Sequence, residues 1–221
     1  MADLTLVIGN KNYSSWSLRP WLALKATGAA FDEVMIGLRH PDTRAKILAH
    51  SPAGKVPILK HGDLLVWESL AICEYLAETF PAAGLWPEDA RARAVARCIA
   101  TEMHAGFMAL RRDLPMDIAR LGKAAGAASE EAKADIARVQ QIWQDCRGRF
   151  GADQGGDSGG PFLFGRFSIT DCMFAPVATR FRTYGVALDP ISAAYVDAIY
   201  AWPAMQEWCA ASAKEAPLPE G

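Results

Sequence analysis

The sequence predicts an α+β fold in which an N-terminal domain with a mixed sheet precedes an all-helical C-terminal domain. Up to residue 80, short apolar runs alternate with helical patterns in the order β-α-β-α-β-β-α. Beyond residue 88 the strand signals stop and only helical periodicity continues. The short segment "PAAGLWPE" (81–88) separates the two patterns. We therefore expect domains at residues 1–80 and 88–221.

The N-terminal pattern consists of four strand-like runs and three helical segments. The strand-like runs are "LTLVI" (4–8), "FDEVMIGL" (31–38), "VPIL" (56–59) and "LLVW" (64–67). The predicted helices are a segment that follows a serine cluster and ends near Gly28, then "DTRAKILAH" (42–50) and "ESLAICEYLAETF" (68–80). The Gly-Asp of "KHGD" favours a hairpin between the last two strands.

The C-terminal pattern predicts helices over 88–112 and 130–150, with Gly106 weakening the first of them. The second has an apolar stripe: Ile136, Val139, Trp143, Cys146 and Phe150. "LGKAAGAAS" (121–129) and "GADQGGDSGGP" (151–161) indicate loosely packed and linker segments. Ser168 and Asp171 form an S-x-x-D capping pattern before an apolar helix, which Pro176 should kink.

Composition excludes several classes of function. The chain has 221 residues and a net charge of −2 without a basic stripe, so a nucleic-acid partner is not expected. No apolar run approaches the roughly 20 residues of a membrane helix, and the N-terminus lacks a secretory pattern. Five cysteines and four histidines are scattered, so neither a disulfide framework nor a metal site is expected. We expect a cytoplasmic protein without a membrane partner.

A cluster of serines stands in "NYSSWSLRPWLAL" (12–24), where a strand gives way to a helix. A proline costs little in the first helical turn, so Pro20 predicts Ser17 as the N-cap. Ser14 and Ser15 would then lie outside the helix, where backbone N–H groups favour an anion. On this stretch alone, capping and turning the chain is the better interpretation of all three serines.

Two further segments favour a peptide-like ligand. In "GKVPIL" Pro57 stands at the head of a strand, and a cis Val56–Pro57 bond would offer the backbone of Val56 to an extended peptide. In "WESLA", Ser69 could bind a carboxylate at a helix N-terminus while Glu68 balances an ammonium. Together with the serine cluster, these segments predict an anion site, a strand edge that pairs with a peptide, and a clamp for an amino-acid group.

The motifs "SSWSLR", "GKVPIL", "ESLAICEYL" and "SITD" stand in the order seen in the glutathione S-transferase family, and the chain resembles that family over essentially its whole length. "SSWSLRPWLALKATG" is most similar to the zeta-class pattern of two serines, a cysteine and then Ser-Trp-Arg, with Trp16 in place of the cysteine. Pro20 and Trp21 replace the Val-Arg of that class. The resemblance implies a thioredoxin-like N-terminal domain and a homodimer.

The resemblance also implies roles for individual residues. Ser14, with Ser15 beside it, would be catalytic, its hydroxyl donating to the sulfur of glutathione as co-substrate. The positions implied to bind glutathione are Ser14, Lys55, Val56, Pro57, Glu68 and Ser69. The second-substrate pocket would include Trp16, His104, Phe107 and Arg111.

The second substrate implied is a small hydrophobic or dicarboxylate electrophile, because zeta enzymes isomerise maleylacetoacetate or maleylpyruvate. A dicarboxylate favours arginine partners, and the candidates are Arg111, Arg112, Arg180 and Arg182. Thr183 stands where the zeta enzymes use an arginine, so general conjugation to electrophiles stays open beside isomerisation.

Three alternatives were compared with a transferase. A serine hydrolase lacks support because no G-x-S-x-G or S-x-x-K is present. A glutathione-dependent thiol reductase would need a cysteine at the helix start, and residues 13–17 contain none. A binding or structural protein with the transferase fold but no turnover is the remaining alternative.

Overall fold

The computed structural model describes residues 3–120, 128–151 and 159–218. Its sheet has four strands: β1 (Leu4–Gly9), β2 (Asp32–Ile36), β3 (Ile58–His61) and β4 (Leu64–Trp67). They lie in the order β2-β1-β3-β4, with β1 and β2 parallel and the other neighbours antiparallel. Three helices complete this half: α1 (Ser15–Thr27), α2 (Thr43–Leu48) and α3 (Ser69–Thr79). The predicted order and the thioredoxin-like mixed sheet are confirmed.

The predicted hairpin is confirmed, but its first strand lies two residues later in the chain than predicted. The third strand begins at Ile58 because Pro57 has no N–H to give to the ladder, and the Val56–Pro57 bond is cis. Lys60 and His61 belong to the strand, so the turn contains only Gly62 and Asp63. Gly62 has φ 59°, which suits a residue without a Cβ.

The C-terminal half is helical in the part of it that the structure describes. Its helices are α4 (Ala90–Ala105), α5 (Met108–Asp113), α6 (Glu130–Phe150), α7 (Ile169–Thr183), α8 (Pro190–Ala201) and α9 (Pro203–Ser212). A short 3-10 turn (Pro81–Ala83) lies in the connection between the halves. The boundaries of the two domains themselves stay a prediction.

The segment predicted to be helical over 88–112 is divided at Gly106, the residue expected to weaken it: α4 ends at Ala105 and α5 begins at Met108. Phe107 takes a left-handed backbone conformation with φ 60°, and its ring is buried in the core. A Cβ at Gly106 would approach the carbonyl oxygen of Glu102 to 2.8 Å, so only glycine fits there. Burial of the Phe107 ring offsets the cost of the left-handed turn.

Two local predictions in this half are confirmed. Helix α6 has the predicted bounds, and Val139, Trp143 and Cys146 are buried along its stripe. Ser168 and Asp171 form the predicted capping box at the start of α7. The linker segments predicted at 121–129 and 151–161 lie largely outside the described residues.

Asp171 is wholly buried and is satisfied by local donors. Its carboxylate accepts from the backbone N–H and hydroxyl of Ser168, from Leu163 N–H and from the Tyr195 hydroxyl. Burial raises its pKa to about 6. These contacts explain how a carboxylate stands inside an apolar segment, and they support the structural role predicted for it.

One hydrophobic core joins the two halves. It contains Leu6, Leu22 and Ile72 from the sheet domain together with Met103 and Phe174 from the helical domain. Helix α1 therefore packs against α3 on one side and α7 on the other. Within the described residues, every helix is too short or too polar to cross a bilayer.

Candidate active site

The serine cluster begins α1 differently from the prediction. Ser14, not Ser17, is the N-cap, and its Oγ accepts from Ser17 N–H at 3.4 Å. Pro20 consequently stands inside the helix rather than in its first turn. Helix α1 tolerates an interior proline because it is buried between both halves of the protein, and this packing offsets the roughly 3 kcal/mol cost.

Ser17 is a bridge between α1 and the end of β1. Its Oγ accepts from Gly9 N–H at 3.1 Å and lies 2.7 Å from Ser14 Oγ. If Ser17 gives its own proton to Ser14, the Ser14 proton is left for a ligand. The hydroxyls of both residues are buried in a position fixed by the β1–α1 junction.

Ser14 and Ser15 line a cavity of about 770 Å³ between the two halves. Trp16, Lys55 and Val56 contribute to the same cavity from the sheet domain. The helical domain and the C-terminal segment supply the opposite wall: Arg111, Pro115, Met116, Asp117, Arg120, Arg180, Pro217 and Leu218. A ligand bound to the serines would thus contact both domains.

Two arginines of this wall carry charge without a paired carboxylate among the described residues. Arg180 donates Nε to Leu114 O at 2.8 Å and Nη1 to Pro176 O at 3.0 Å. Burial lowers its pKa to about 9. Arg111 donates to the carbonyls of Met103 and Gly106, while its buried Nη1 has no partner within the described residues.

A third arginine, Arg19, was missed by the sequence analysis. It is fully buried, and none of its guanidinium nitrogens has a hydrogen-bond partner in the described part of the chain. Burial lowers its pKa well below the usual value, and Arg111 and Arg180 lower it further. An arginine inside the apolar run "LRPWLAL" was the available signal. The resulting surplus of positive charge favours an anion in the neighbouring cavity.

Trp16 lies among these charges. The guanidinium carbon of Arg19 is 4.3 Å from the Trp16 ring centroid, and that of Arg111 is 4.7 Å away. The ring centroids of His104 and Trp16 lie 5.3 Å apart in an edge-to-face arrangement. These contacts fix the orientation of Trp16, which lines both the serine cavity and a second, smaller cavity.

The smaller cavity, of about 210 Å³, contains the predicted peptide clamp. Its lining residues are Trp16, Ala53, Lys55, Val56, Pro57, Trp67, Glu68 and Ser69. The Ser69 hydroxyl, at the N-terminus of α3, is buried and has no hydrogen-bond partner among the described residues. Glu68 has φ 69°, a conformation that costs a non-glycine residue about 1–3 kcal/mol and often marks a functional site.

The remaining predicted pocket residues lie elsewhere. His104 and Phe107 are not among the described residues that line either cavity: Phe107 packs in the core, and His104 Nε2 lies 4.0 Å from Glu68 Oε2. Of the other arginine candidates, Arg112 pairs with Asp113 on the surface, and Arg182 lies over the Tyr200 ring. The described residues contain no group of three or more potential metal ligands.

A mixed four-stranded sheet, a helical second domain and a cleft between them define the class of two-domain, thioredoxin-like transferases. The family model of the glutathione S-transferase N-terminal domain matches residues 13–79, and that of the C-terminal domain matches residues 88–211. The chain therefore belongs to the glutathione S-transferase family.

Curated relatives match part of the chain. A probable maleylacetoacetate isomerase of Caenorhabditis elegans is 36% identical over 96 residues, which cover 43% of this chain and 44% of that protein. The maleylacetoacetate isomerase of Rhizobium meliloti is 38% identical, with 41% and 45% covered. The chain thus spans less than half the length of these two relatives in the alignments.

Solved structures match nearly the whole chain. A Burkholderia glutathione transferase homolog with bound glutathione is 25% identical with a TM-score of 0.69, covering 95% of this chain and 97% of that one. A maleylacetoacetate isomerase from Anaeromyxobacter dehalogenans is 25% identical with a TM-score of 0.65, covering 98% and 94%. Both domains of this chain therefore have their counterparts in known transferase structures.

Proposed function

We propose that the protein is a glutathione S-transferase in which the Ser14 hydroxyl donates a hydrogen bond to the glutathione thiolate, which adds to a small electrophile. The observation that carries the proposal is the placement of Ser14. Its hydroxyl is the N-cap of α1, lines the interdomain cavity and lies 2.7 Å from Ser17 Oγ. Ser15, beside it in the same cavity, is the second candidate to contact the sulfur.

Elementary energetics support this mechanism without a general base. A free thiol has a pKa of about 8.5, and a hydrogen bond to a charged group contributes roughly 1.5–3 kcal/mol. Since about 1.4 kcal/mol corresponds to one pKa unit, this bond lowers the thiol pKa by about one to two units. The helix N-terminus adds roughly 0.3–1 kcal/mol. Together they bring the thiol pKa near neutrality.

The smaller cavity is the proposed site for the rest of the tripeptide. Ser69, with its free buried hydroxyl, would bind the γ-glutamyl carboxylate, and Glu68 would bind the ammonium. Lys55, Val56 and Pro57 would hold the cysteinyl and glycyl part, and Val56 would pair through its backbone. Lys55 and Val56 line both cavities, which supports a ligand that extends from one to the other.

For the electrophile we propose a dicarboxylate and a cis–trans isomerisation. The named isomerase relatives and the unpaired guanidinium groups of Arg111 and Arg180 beside the serines support this choice. The thiolate adds to the cis double bond, the resulting single bond rotates, and elimination of the thiolate leaves the trans product. Conjugation of a small hydrophobic electrophile would use the same thiolate without the elimination step.

Two assays and one variant test the proposal. In Ser14→Ala we expect the pKa of the bound thiol to rise by about one to two units from near neutrality, so turnover at neutral pH falls by roughly 5- to 50-fold. The KM for glutathione should stay within about twofold, because the clamp residues are untouched. Glutathione-dependent isomerisation of a cis dicarboxylate and conjugation of a model electrophile are measured in parallel.

The outcomes separate the hypotheses. Equal turnover in the wild type and Ser14→Ala would disprove the role of Ser14, and Ser15→Ala shows whether the neighbouring hydroxyl contacts the sulfur instead. Glutathione binding without turnover in either assay would favour a protein that has kept the fold as a binding module.

We also propose a cytoplasmic homodimer. All five cysteines are free thiols, which agrees with a reducing compartment. The dimer rests on the family alone, and light scattering of the purified protein tests it by the mass of the particle.

A further inference from the structure

We propose that Glu215 is a positioning residue for the Ser14 hydroxyl, an inference that rests on the function proposed above. Glu215 lies beyond α9, near the end of the described chain, and it contacts the turn that leads into Ser14. That turn, residues 10–13, is called the pre-serine turn below. It joins the end of β1 to the N-cap of α1.

The pre-serine turn satisfies only part of its own backbone. Tyr13 N–H and Ser14 N–H both donate to Asn10 O, at 3.2 and 2.8 Å. The two N–H groups that precede them are satisfied by the Glu215 carboxylate: Lys11 N–H donates to Oε1 at 2.6 Å, and Asn12 N–H donates to Oε2 at 3.0 Å. A carboxylate that accepts two adjacent N–H groups fixes the orientation of the peptide plane between them.

Other contacts show that the turn depends on parts of the chain remote in sequence. Trp208 Nε1 donates to Lys11 O at 2.9 Å. From the helical domain, Asp117 Oδ1 accepts from the Asn12 side chain at 2.9 Å, and Ala119 N–H donates to that side chain at 2.7 Å. The turn is therefore held by two remote segments, and within the described residues Glu215 is the carboxylate that accepts from its backbone.

Glu215 also fixes a wall of the serine cavity. Pro217 and Leu218, two and three positions after it, line the cavity together with Ser14 and Arg180. Loss of the Glu215 contact should therefore loosen both the start of α1 and the surface that faces the electrophile. The smaller cavity, which holds the proposed glutathione clamp, has no lining residue from this C-terminal segment within the described chain.

Because the C-terminal segment lines the serine cavity and not the smaller cavity, a positioning role and a purely structural role predict different kinetics. Loss of Glu215 should change the pKa of the bound thiol, kcat and the KM for the electrophile, while the KM for glutathione stays the same. A contact that only stabilises the fold would lower the thermal midpoint and leave the thiol pKa unchanged.

The test uses Glu215→Gln with Glu207→Gln as the matched control. The amide of Gln has one acceptor oxygen, so its NH₂ group would face one of the two backbone donors. Glu207, on α9, pairs with Lys25 of α1 at 2.6 Å, so its variant also removes one charge from an interdomain contact. Glu215→Asp keeps both acceptor oxygens on a shorter side chain and serves as the conservative variant.

The readout is the pH titration of the thiolate absorbance of bound glutathione, with kcat and both KM values measured on the same preparations. In Glu215→Gln we expect the thiol pKa to rise by about 0.5 to 1 unit from near neutrality, which corresponds to a roughly 2- to 5-fold lower kcat at neutral pH. Glu207→Gln should match the wild type, and Glu215→Asp should lie between the wild type and Glu215→Gln.

A thiol pKa and kcat in Glu215→Gln equal to those of Glu207→Gln would overturn the inference, whatever its thermal midpoint. Ser14→Ala is titrated beside these variants. If its thiol pKa equals that of the wild type, the proposed role of Ser14 fails and the role of Glu215 fails with it; if it rises while Glu215→Gln does not change, only the role of Glu215 fails.

Discussion

Ser17 lies in the first turn of α1, with its Oγ 3.1 Å from Gly9 N and 2.7 Å from Ser14 Oγ. A hydroxyl has one proton to donate, so acceptance from Gly9 N–H leaves the Ser17 proton for Ser14. Ser14 is then free to give its own proton to the sulfur. The sequence predicted Ser17 as the cap, but the cap is Ser14. Ser17 contacts Ser14, which is the residue proposed to contact the sulfur.

We predict that Ser17→Ala loses both stability and thiol activation. Gly9 N–H would be left buried without its partner, at a cost of about 1–3 kcal/mol, and Ser14 would lose the neighbour that orients its proton. Chemical denaturation and the titration of bound glutathione measure the two effects. Ser192→Ala, which removes a buried hydroxyl on α8, is the control: it should lose stability without a change in the thiol pKa. Equal thiol pKa values in the two variants would contradict the orienting role.

At the scale of single elements, backbone conformation determines where helices end. Gly28 closes α1 in the left-handed conformation, with φ 72°, and its N–H donates to Lys25 O. Gly148 instead stands on the exposed side of α6, inside a regular helix. A Cβ built on either residue would meet no atom within 4 Å. The two sites therefore differ in backbone conformation and not in available space.

The same substitution should consequently have opposite effects at the two sites. Gly28→Ala forces a Cβ into the left-handed region and should destabilise the protein by about 1 kcal/mol. Gly148→Ala removes backbone freedom from the unfolded chain and should stabilise it by roughly 0.5–1 kcal/mol. Urea denaturation of both variants measures the sign, and the same sign at both positions would refute the argument.

On the scale of the whole molecule, the two halves share one core. Leu22 of α1 and Phe174 of α7 belong to the same buried cluster, and Asn12 joins its turn to Asp117 of the helical half. Helix α1 cannot leave α7 without exposing apolar surface from both halves. The boundary predicted at residues 81–88 therefore coincides with a change in secondary structure and not with a change of core.

We predict that the chain unfolds in one transition despite its two structural halves. The buried Trp21 reports on the sheet domain and Trp143 on the helical domain, while circular dichroism reports mainly on the helices. Denaturation curves followed by tryptophan fluorescence and circular dichroism should coincide. Two separate midpoints would show that the halves unfold independently.

The sequence by itself determined the order of the elements, the bounds of α6 and the capping box of Ser168 and Asp171. Each of these depends on neighbours within a few residues, so its pattern is visible in the chain. The sequence also predicted that the serines, the Pro57 strand and the Glu68–Ser69 pair bind one ligand. Their roles in binding it stay a proposal.

The tertiary structure alone decided the features that depend on burial or on distant partners. Because α1 is buried it tolerates Pro20 in its interior, so its cap is Ser14 and not the predicted Ser17. Burial of the Phe107 ring accompanies the break in the segment predicted to be helical over 88–112. The unpaired charge of Arg19 and the contact of Glu215 with the pre-serine turn were equally invisible in the sequence. Glu215 and Lys11 are 204 positions apart, and no local periodicity records a contact across that distance.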